Sequence, residues 1–242
     1  MIYFLIPAYN ESENLEGLLR NIYKNVKSHK KIIIVDDGST DNTKSVHSVI
    51  SKKFPFLLIG YPANQGAGYA FRYGFDYLIP KLNSGDLVVT MESDNTSDYD
   101  VIEKMIKLSH THSIVLASPH RHKSGFRGVG VIRILLSTLS SFIDAQVLGV
   151  KNIRTYTSFY RVYSADILIA AKKMYKDKLI TNTGFSAVIE LLLKLRKIED
   201  KIIEVPAVVD WSKRKGKSKM NLIKNARAHL SLYKDFYQGK FN

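Results

Sequence analysis

Short, continuously apolar runs alternate with amphipathic segments through the first half of the chain. The runs are YFLIP, KIIIV, FLLIG, LVVTM and SIVLAS, and each has the length of a buried strand. The segments between them carry apolar residues at helical spacing, and Asn10 is the predicted N-cap of the first helix, with Glu13 three residues on. This alternation predicts an α/β domain in which helices cover both faces of a mostly parallel sheet.

The second half of the chain has a different pattern. A helical stretch at about 130–148 precedes TSFYRVYS, which alternates as a strand does, and another helix is predicted over 184–197. The following strand, KIIEVPAVVDW, contains Pro206, which indicates an edge or a bend. We expect one domain over 1–220, ending in a basic loop, with 221–242 as a C-terminal amphipathic helix that packs on or extends it.

Composition restricts the chemistry further. The 242 residues include no cysteine, which excludes disulfides, thiolate zinc sites and cysteine nucleophiles. No signal peptide is visible after Met1, so a cytoplasmic location is expected. The net charge of +14 favours anionic partners, namely phosphorylated small molecules or an acidic lipid surface. Nucleic acid is not expected, because the basic residues are not interleaved with aromatic residues in any recognised module.

The stretch 129–150 is the most apolar segment, but Arg133 and Asp144 interrupt it. We expect no membrane span and interpret the stretch as an amphipathic helix. Two placements are open: the helix is buried in the protein, or it rests on an anionic membrane surface. The second placement implies a protein bound peripherally to the cytoplasmic face of a membrane.

Polar clusters follow three of the predicted strands, and they read PAYNE, DDGSTD and ESDNTSD. Ligands of such sheets bind at the carboxyl ends of the strands, where these clusters converge. The acid pair Glu92 and Asp94 is then either a metal site or a solvated strand end. Other sites are not indicated: GAGYAF lacks a third glycine, and the chain has no P-loop, no HExxH and no zinc-binding partners for its clustered histidines.

At this point the motifs resemble a known family. PAYNE, VDDGSTD, NQGAGYA and the acid pair occur in the order and spacing of the family 2 glycosyltransferases, which have the GT-A fold. The later segments TSFYR, GFSAVIELLLKLRK, EVP and KRKGKSK are similar to those of the dolichol-phosphate mannose synthase branch. The resemblance covers about residues 1–220. It implies a GT-A fold and transfer of a hexose, with inversion, from a GDP- or UDP-linked sugar to a polyprenyl phosphate.

The resemblance also implies a donor site. The cation would be Mg²⁺ or Mn²⁺, with Asp94 and Glu92 as its ligands. The basic loop would close over the donor phosphates through Lys219 and either Lys213 or Arg214, a choice that the register leaves open. The residues expected around the nucleotide and sugar are Pro7, Tyr9, Glu11, Val35, Asp37, Glu92, Ser93 and Asp94.

Departures from the family pattern surround the acceptor. Pro119 stands where the family has an arginine, so Arg121 is expected to substitute, and Arg133 is expected to face the acceptor phosphate. With Asp94 these arginines form the predicted catalytic set. A hydroxyl of a polysaccharide or soluble acceptor is the alternative and would need a base, for which Asp98 and Asp100 are the candidates. A non-catalytic protein that binds a nucleotide-sugar is a further alternative.

Overall fold

The computed structural model describes residues 1–150, 152–216 and 222–241. Seven strands form one sheet in the order β3-β2-β1-β4-β7-β5-β8, and two short strands, β6 and β9, form a second. The strands are β1 (Ile2–Ala8), β2 (Lys30–Asp37), β3 (Leu57–Tyr61), β4 (Leu87–Thr90), β5 (Ile114–Ser118), β6 (Phe126–Arg127), β7 (Arg161–Ser164), β8 (Ile202–Pro206) and β9 (Val209–Asp210).

Eight helices accompany these strands over the described residues. They are α1 (Ser12–Asn25), α2 (Thr43–Ile50), α3 (Ala67–Leu78), α4 (Ile102–Leu108), α5 (Val131–Leu148), α6 (Ala165–Tyr175), α7 (Ala187–Arg196) and α8 (Leu222–Tyr237). The predicted α/β architecture is confirmed, and the neighbours in the large sheet are parallel except where β7 pairs antiparallel with β4 and β5.

Two hydrophobic cores lie on opposite faces of the large sheet, because side chains alternate between faces along each strand. In β1, Leu5 packs with α3, α6 and α7, whereas Phe4 and Ile6 pack with α1 and α4. At Gly74 of α3 an added Cβ would lie 2.5 Å from a methyl group of Leu5, so the glycine lets this helix approach the sheet closely.

Pro206 ends β8, an edge strand of the large sheet, as its residue type indicated. The prediction that Asn10 caps α1 is wrong: α1 begins at Ser12, and Glu11 takes the cap position. The Asn10 side chain instead accepts hydrogen bonds from the backbone N–H groups of Thr40 and Asp41, in the loop after β2.

The register of the central strands brings the polar clusters together. Pro7 lies opposite Val35, and Leu5 lies opposite Thr90, so the loops that follow β1, β2 and β4 leave the same edge of the sheet. The convergence predicted from the strand ends is therefore present.

Candidate active site

Asp37, at the end of β2, organises the loop that leads into α3. Asp37 is 3% exposed. Its carboxylate accepts hydrogen bonds from the Tyr61 hydroxyl at 2.8 Å, the Asn64 amide at 2.9 Å and the backbone N–H groups of Gln65 and Gly66 at 2.7 and 3.0 Å. Burial raises the pKa of Asp37, although these hydrogen bonds oppose the rise. Protein donors therefore surround a carboxylate that the sequence predicted to face the base or ribose.

The two acids of the pair after β4 have different surroundings. The Glu92 side chain accepts hydrogen bonds from the Phe159 backbone N–H at 3.1 Å and the Ser97 hydroxyl at 3.3 Å. Burial and, to a smaller extent, the charge of Asp94 raise the pKa of Glu92. Glu92 thus joins the end of β4 to the segment before β7, a contact between residues 67 positions apart.

Asp94 faces the basic loop. One carboxylate oxygen accepts a 2.7 Å hydrogen bond from the Thr96 hydroxyl, and the other lies 2.6 Å from Nη1 of Arg214. The Arg214 side chain is 11% exposed, and its Nη2 lies 3.9 Å from a carboxylate oxygen of Glu11. One guanidinium therefore connects acids that follow β1 and β4, two strands that pair in the sheet.

Hydrogen bonds to Asn14 of α1 hold the basic loop in this position. The Asn14 side chain accepts from the Lys215 backbone N–H at 2.9 Å and donates to the Lys215 carbonyl at 3.0 Å. Lys213 faces elsewhere, with its ammonium 4.0 Å from Asp210. Of the two basic residues that the register left open, Arg214 is therefore the one inside the site, while Lys219 lies outside the described residues.

Arg133 and Trp211 extend the site towards α5. The Arg133 guanidinium lies over the Trp211 ring, 4.2 Å from its centroid, and that of Arg214 lies 5.7 Å from the same centroid. Burial, helped by the charge of Arg214, lowers the pKa of Arg133. Arg133 was predicted from its register, but the contribution of Trp211 was missed; the only sequence signal was a tryptophan directly before the basic loop.

Arg121 belongs to a different cluster. Its Nε donates to the Glu204 carboxylate at 2.8 Å, and its Nη2 donates to the Asn152 carbonyl. Glu204 also accepts from the backbone N–H groups of Arg154 and Thr155. These contacts tie the turn after β5 to the edge strand β8, so Arg121 and Arg133, predicted to act together, have separate partners.

A buried ion pair that sequence reasoning missed supports the start of α3. Glu190 and Lys194 of α7 lie 2.5 Å apart, and Glu190 also accepts hydrogen bonds from the Thr181 and Asn182 backbone. The loop held in this way presents the Thr183 carbonyl to the Gly68 N–H at 2.8 Å. The available signal was a Glu and a Lys four residues apart in an otherwise apolar helix.

The residues present fit a cation that is held jointly with a substrate. Over the described residues no three His, Asp or Glu side chains form a metal-binding group. Mg²⁺ and Mn²⁺ sites of this kind use one or two carboxylates and complete their shell with substrate phosphates and water. Asp94 meets that requirement because its carboxylate already pairs with a cationic group, the Arg214 guanidinium, whereas the Glu92 oxygens accept from uncharged donors, the Phe159 N–H and the Ser97 hydroxyl.

The two candidate bases also differ in their contacts. Asp98 accepts hydrogen bonds from the backbone N–H groups of Val208, at 2.9 Å, and of Asp100, at 3.1 Å. Its carboxylate therefore holds the segment that precedes β9. Asp100 is exposed.

An apolar surface begins where Arg133 lies. α5 buries Ser141, Asp144 and Leu148 and exposes most of its large apolar side chains. In the part of the chain that is described, it is the one helix that is long and apolar enough to cross a membrane, judged by length and composition. We call the exposed set the α5 apolar face, and its members are Val131, Ile132, Leu135, Leu136, Leu139, Phe142 and Ile143.

Known proteins share this sequence pattern and architecture. One curated relative is a dolichyl-phosphate beta-glucosyltransferase of Trichomonas vaginalis, which is 25% identical; the match covers 90% of this chain and 67% of the relative. Another is a dolichol-phosphate mannosyltransferase of Pyrococcus furiosus, which is 26% identical; that match covers 84% of this chain and 54% of the relative. The chain thus spans about half to two thirds of the length of these two relatives.

A solved structure with the same fold is glucosyl-3-phosphoglycerate synthase of Mycobacterium tuberculosis, in complex with Mn²⁺, UDP and glucosyl-3-phosphoglycerate. Its TM-score is 0.64 at 19% identity, over 93% of this chain and 75% of that one. The same protein has also been solved with Mg²⁺ and UDP, with a TM-score of 0.63.

The family profile for Glycosyl transferase family 2 matches residues 3–170, which is most of the chain and includes the three polar strand ends. With the GT-A architecture of the sheet, this match identifies the chain as a member of glycosyl transferase family 2.

Proposed function

We propose that this protein transfers a hexose, of the mannose or glucose type, from a nucleoside-diphosphate sugar to a polyprenyl phosphate at a membrane surface, with inversion at the anomeric carbon. The observation that carries the proposal is the position of Arg133. It lies at the start of the α5 apolar face and shares Trp211 with Arg214, which contacts Asp94. A polar site for a diphosphate and an apolar surface for a lipid tail therefore meet at one arginine.

In this proposal the nucleoside-diphosphate sugar binds to the loops at the carboxyl ends of the strands. Pro7, Tyr9, Glu11 and Asp37 surround the base and ribose, and Ser93 and Asp94 face the diphosphate. The side chain of Val35, which was also predicted to line this site, is buried in the core beneath α3, so only the Val35 backbone is left to contact the nucleotide. A divalent cation bound at Asp94 would neutralise charge on the leaving diphosphate. Arg214 contributes positive charge on the same phosphates, and the predicted contact of Lys219 would add to it.

The acceptor half explains why no strong base is required. An acceptor phosphate oxygen is largely anionic near neutral pH and attacks the anomeric carbon directly. The bond between that carbon and the donor phosphate oxygen breaks, and the nucleoside diphosphate leaves with the electron pair. Arg133 orients the acceptor phosphate, while the isoprenoid chain follows the α5 apolar face into the membrane.

Two predicted residues take supporting roles in this proposal. Glu92 aligns the Phe159 segment with Asp94, and its direct contact with a cation remains a prediction. Arg121 stabilises the turn after β5 through Glu204, and its contact with the acceptor likewise remains a prediction.

A hydroxyl acceptor is less well supported. That reaction needs a carboxylate base. The Asp98 oxygens already accept two backbone hydrogen bonds, and Asp100, the other candidate, is exposed to solvent. The relatives named as dolichyl-phosphate and dolichol-phosphate transferases also favour a polyprenyl phosphate.

The proposal is tested with purified protein, Mn²⁺ or Mg²⁺ and a panel of radiolabelled GDP- and UDP-sugars. Polyprenyl phosphate is supplied in vesicles that contain anionic lipid. Label that enters the organic phase supports the proposal, whereas label in a water-soluble product supports a hydroxyl acceptor. Calorimetric binding of a nucleotide without any transfer would indicate a non-catalytic protein. Analysis of the product anomer by NMR tests inversion.

A further inference from the structure

The Arg214 guanidinium pairs with Asp94, the residue proposed to bind the cation. Nη1 lies 2.6 Å from one carboxylate oxygen, and the other oxygen accepts from the Thr96 hydroxyl at 2.7 Å and from the Thr96 N–H at 3.3 Å. Both oxygens therefore already have donors. A divalent cation that coordinated the oxygen paired with Arg214 would lie beside the guanidinium charge, so the cation and Arg214 compete for Asp94.

Arg214 is the donor that can leave. The Thr96 contacts are local, since they join residues two positions apart in the loop after β4. Arg214 comes from a separate loop that contains Gly216 at φ +77°, a backbone conformation that glycine adopts without strain. The guanidinium lies 5.7 Å from the centroid of the Trp211 ring, so after a short movement it can still lie beside the indole.

We propose that Arg214 acts as a resident cation on Asp94 in the donor-free protein, so that a divalent cation binds weakly by itself and binds well only together with a nucleoside diphosphate. The guanidinium that the cation displaces from Asp94 then pairs with the diphosphate. This step rests on the proposed function, because it assumes that Asp94 receives the cation. It adds a coupling between binding of the cation and binding of the nucleotide, and this coupling depends on one side chain, Arg214.

Charge supports this exchange. Glu11 and Asp94 both lie near the guanidinium, at 3.9 and 2.6 Å, and its side chain is largely withdrawn from water. Removing a partner from a pair in such surroundings leaves an uncompensated carboxylate, which is unfavourable unless another cation replaces it. A nucleoside diphosphate offers the planar guanidinium of Arg214 two phosphate oxygens for a bidentate contact, which compensates for the lost contact with Asp94.

The test measures binding of MnCl₂ without nucleotide, by the electron paramagnetic resonance signal of free Mn²⁺. We expect Arg214→Gln to bind Mn²⁺ about tenfold more tightly than the wild type, because the competing charge-assisted hydrogen bond is gone. Arg214→Lys, which retains the charge, is expected to restore weak binding. Quenching of Trp211, the single tryptophan of the chain, gives a second readout in the same samples.

Matched variants distinguish competition by Arg214 for Asp94 from the general effect of removing a positive charge from the loop. Lys215→Gln removes the same charge from the same loop, and because its side chain is exposed it is expected to behave as the wild type does. Asp94→Asn combined with Arg214→Gln is expected to abolish the gain. Equal Mn²⁺ binding by wild type and Arg214→Gln, including no binding by either, overturns the proposal, as does an equal gain in Lys215→Gln. Failure of sugar transfer in a protein that shows the expected Mn²⁺ binding would instead contradict only the proposed function.

Discussion

The guanidinium of Arg133 lies over the indole ring of Trp211, 4.2 Å from its centroid. Arg133 is in the first turn of α5, and Trp211 directly follows β9 and leads into the basic loop. A residue from the most apolar helix of the chain is thereby packed against the loop that carries Arg214. This contact joins the two halves of the proposed reaction, because the acceptor side begins at Arg133 and the donor side at Arg214.

Replacement of Arg133 by Gln is therefore expected to impair acceptor use more than donor binding. The KM for polyprenyl phosphate should rise by about tenfold, the range of one lost charge-assisted hydrogen bond. Nucleotide affinity, measured by calorimetry, should change far less. Arg127→Gln is the control, since Arg127 is an exposed arginine of neighbouring β6. An equal loss of nucleotide affinity and acceptor affinity in Arg133→Gln would contradict the assignment.

Arg214 and Lys213 are expected to differ strongly although they are adjacent and both basic. Arg214→Gln should lower kcat/KM for the donor by about 10²-fold, since it removes a charge that stabilises the leaving diphosphate. Lys213→Gln should lower kcat/KM for the donor by less than about threefold, because the Lys213 ammonium is exposed and faces Asp210. Steady-state kinetics with the radiolabelled donor make the comparison. A larger loss in Lys213→Gln would mean that the loop takes another register when substrate is bound.

The sequence could supply the fold because the signals for it are local. Continuous apolar runs such as LVVT at β4 identify buried strands wherever they pair. The position of β7 was not predictable in this way. Its four residues insert antiparallel between β4 and β5, and that placement depends on long-range pairing, such as Val89 opposite Val162, that has no local pattern.

For the candidate site, the sequence likewise predicted the position but not the contacts of the individual residues. The strand-end clusters indicated where the site lies, because strand ends converge in any such sheet. The choice between Lys213 and Arg214 depended on Asn14, which fixes the Lys215 backbone from 201 positions away. The different surroundings of Glu92 and Asp94 likewise depend on Phe159 and Arg214, which are distant in sequence.

Asp94→Asn is expected to abolish measurable sugar transfer, with a loss of about 10³-fold or more, and to leave the fold intact. The amide removes the negative charge that would hold the cation, while its oxygen can still accept the hydrogen bond from Thr96. Transfer of label measures the loss, and circular dichroism with thermal melting checks the fold. Unchanged activity would exclude Asp94 as the cation ligand.

The α5 apolar face is expected to bind anionic membranes. Replacing Leu135, Leu139 and Phe142 by Ser should reduce cosedimentation with vesicles of anionic lipid by about tenfold or more, because each buried apolar side chain contributes about 1.5–3 kcal/mol. Nucleotide binding should be unchanged.

Two exposed apolar residues elsewhere provide the matched control for that experiment. Val49 is in α2 and Met174 is in α6, and they are 71% and 61% exposed. Their replacement by Ser should leave vesicle binding intact. Equal binding by the α5 triple variant and the wild type would show that the helix is not the membrane contact.

Asp144→Asn is expected to stabilise the protein at alkaline pH and much less in acid. Asp144 is fully buried between α5 and α8, where Tyr233 donates to it at 2.8 Å and His229 Nε2 lies 3.9 Å away. Burial raises the pKa of Asp144 above its ordinary 3.8, although the Tyr233 hydrogen bond and a protonated His229 oppose the rise. The folded protein therefore binds this proton more tightly than the unfolded chain does.

The sign of the pH dependence follows from that difference. Because the folded state holds the additional proton, wild-type stability falls as the pH rises from about 4 through the raised pKa of Asp144. Asn carries no charge at any pH and its oxygen can keep the Tyr233 hydrogen bond, so this loss is absent in the variant. The melting temperature of Asp144→Asn should exceed that of the wild type at about pH 8, by about 2–4 °C for each kcal/mol. The gap should narrow as the pH falls through the raised pKa of Asp144, because the wild-type carboxylate then gains its proton. A variant that melts lower than the wild type at alkaline pH would indicate that the Asp144 charge stabilises the contact between α5 and α8.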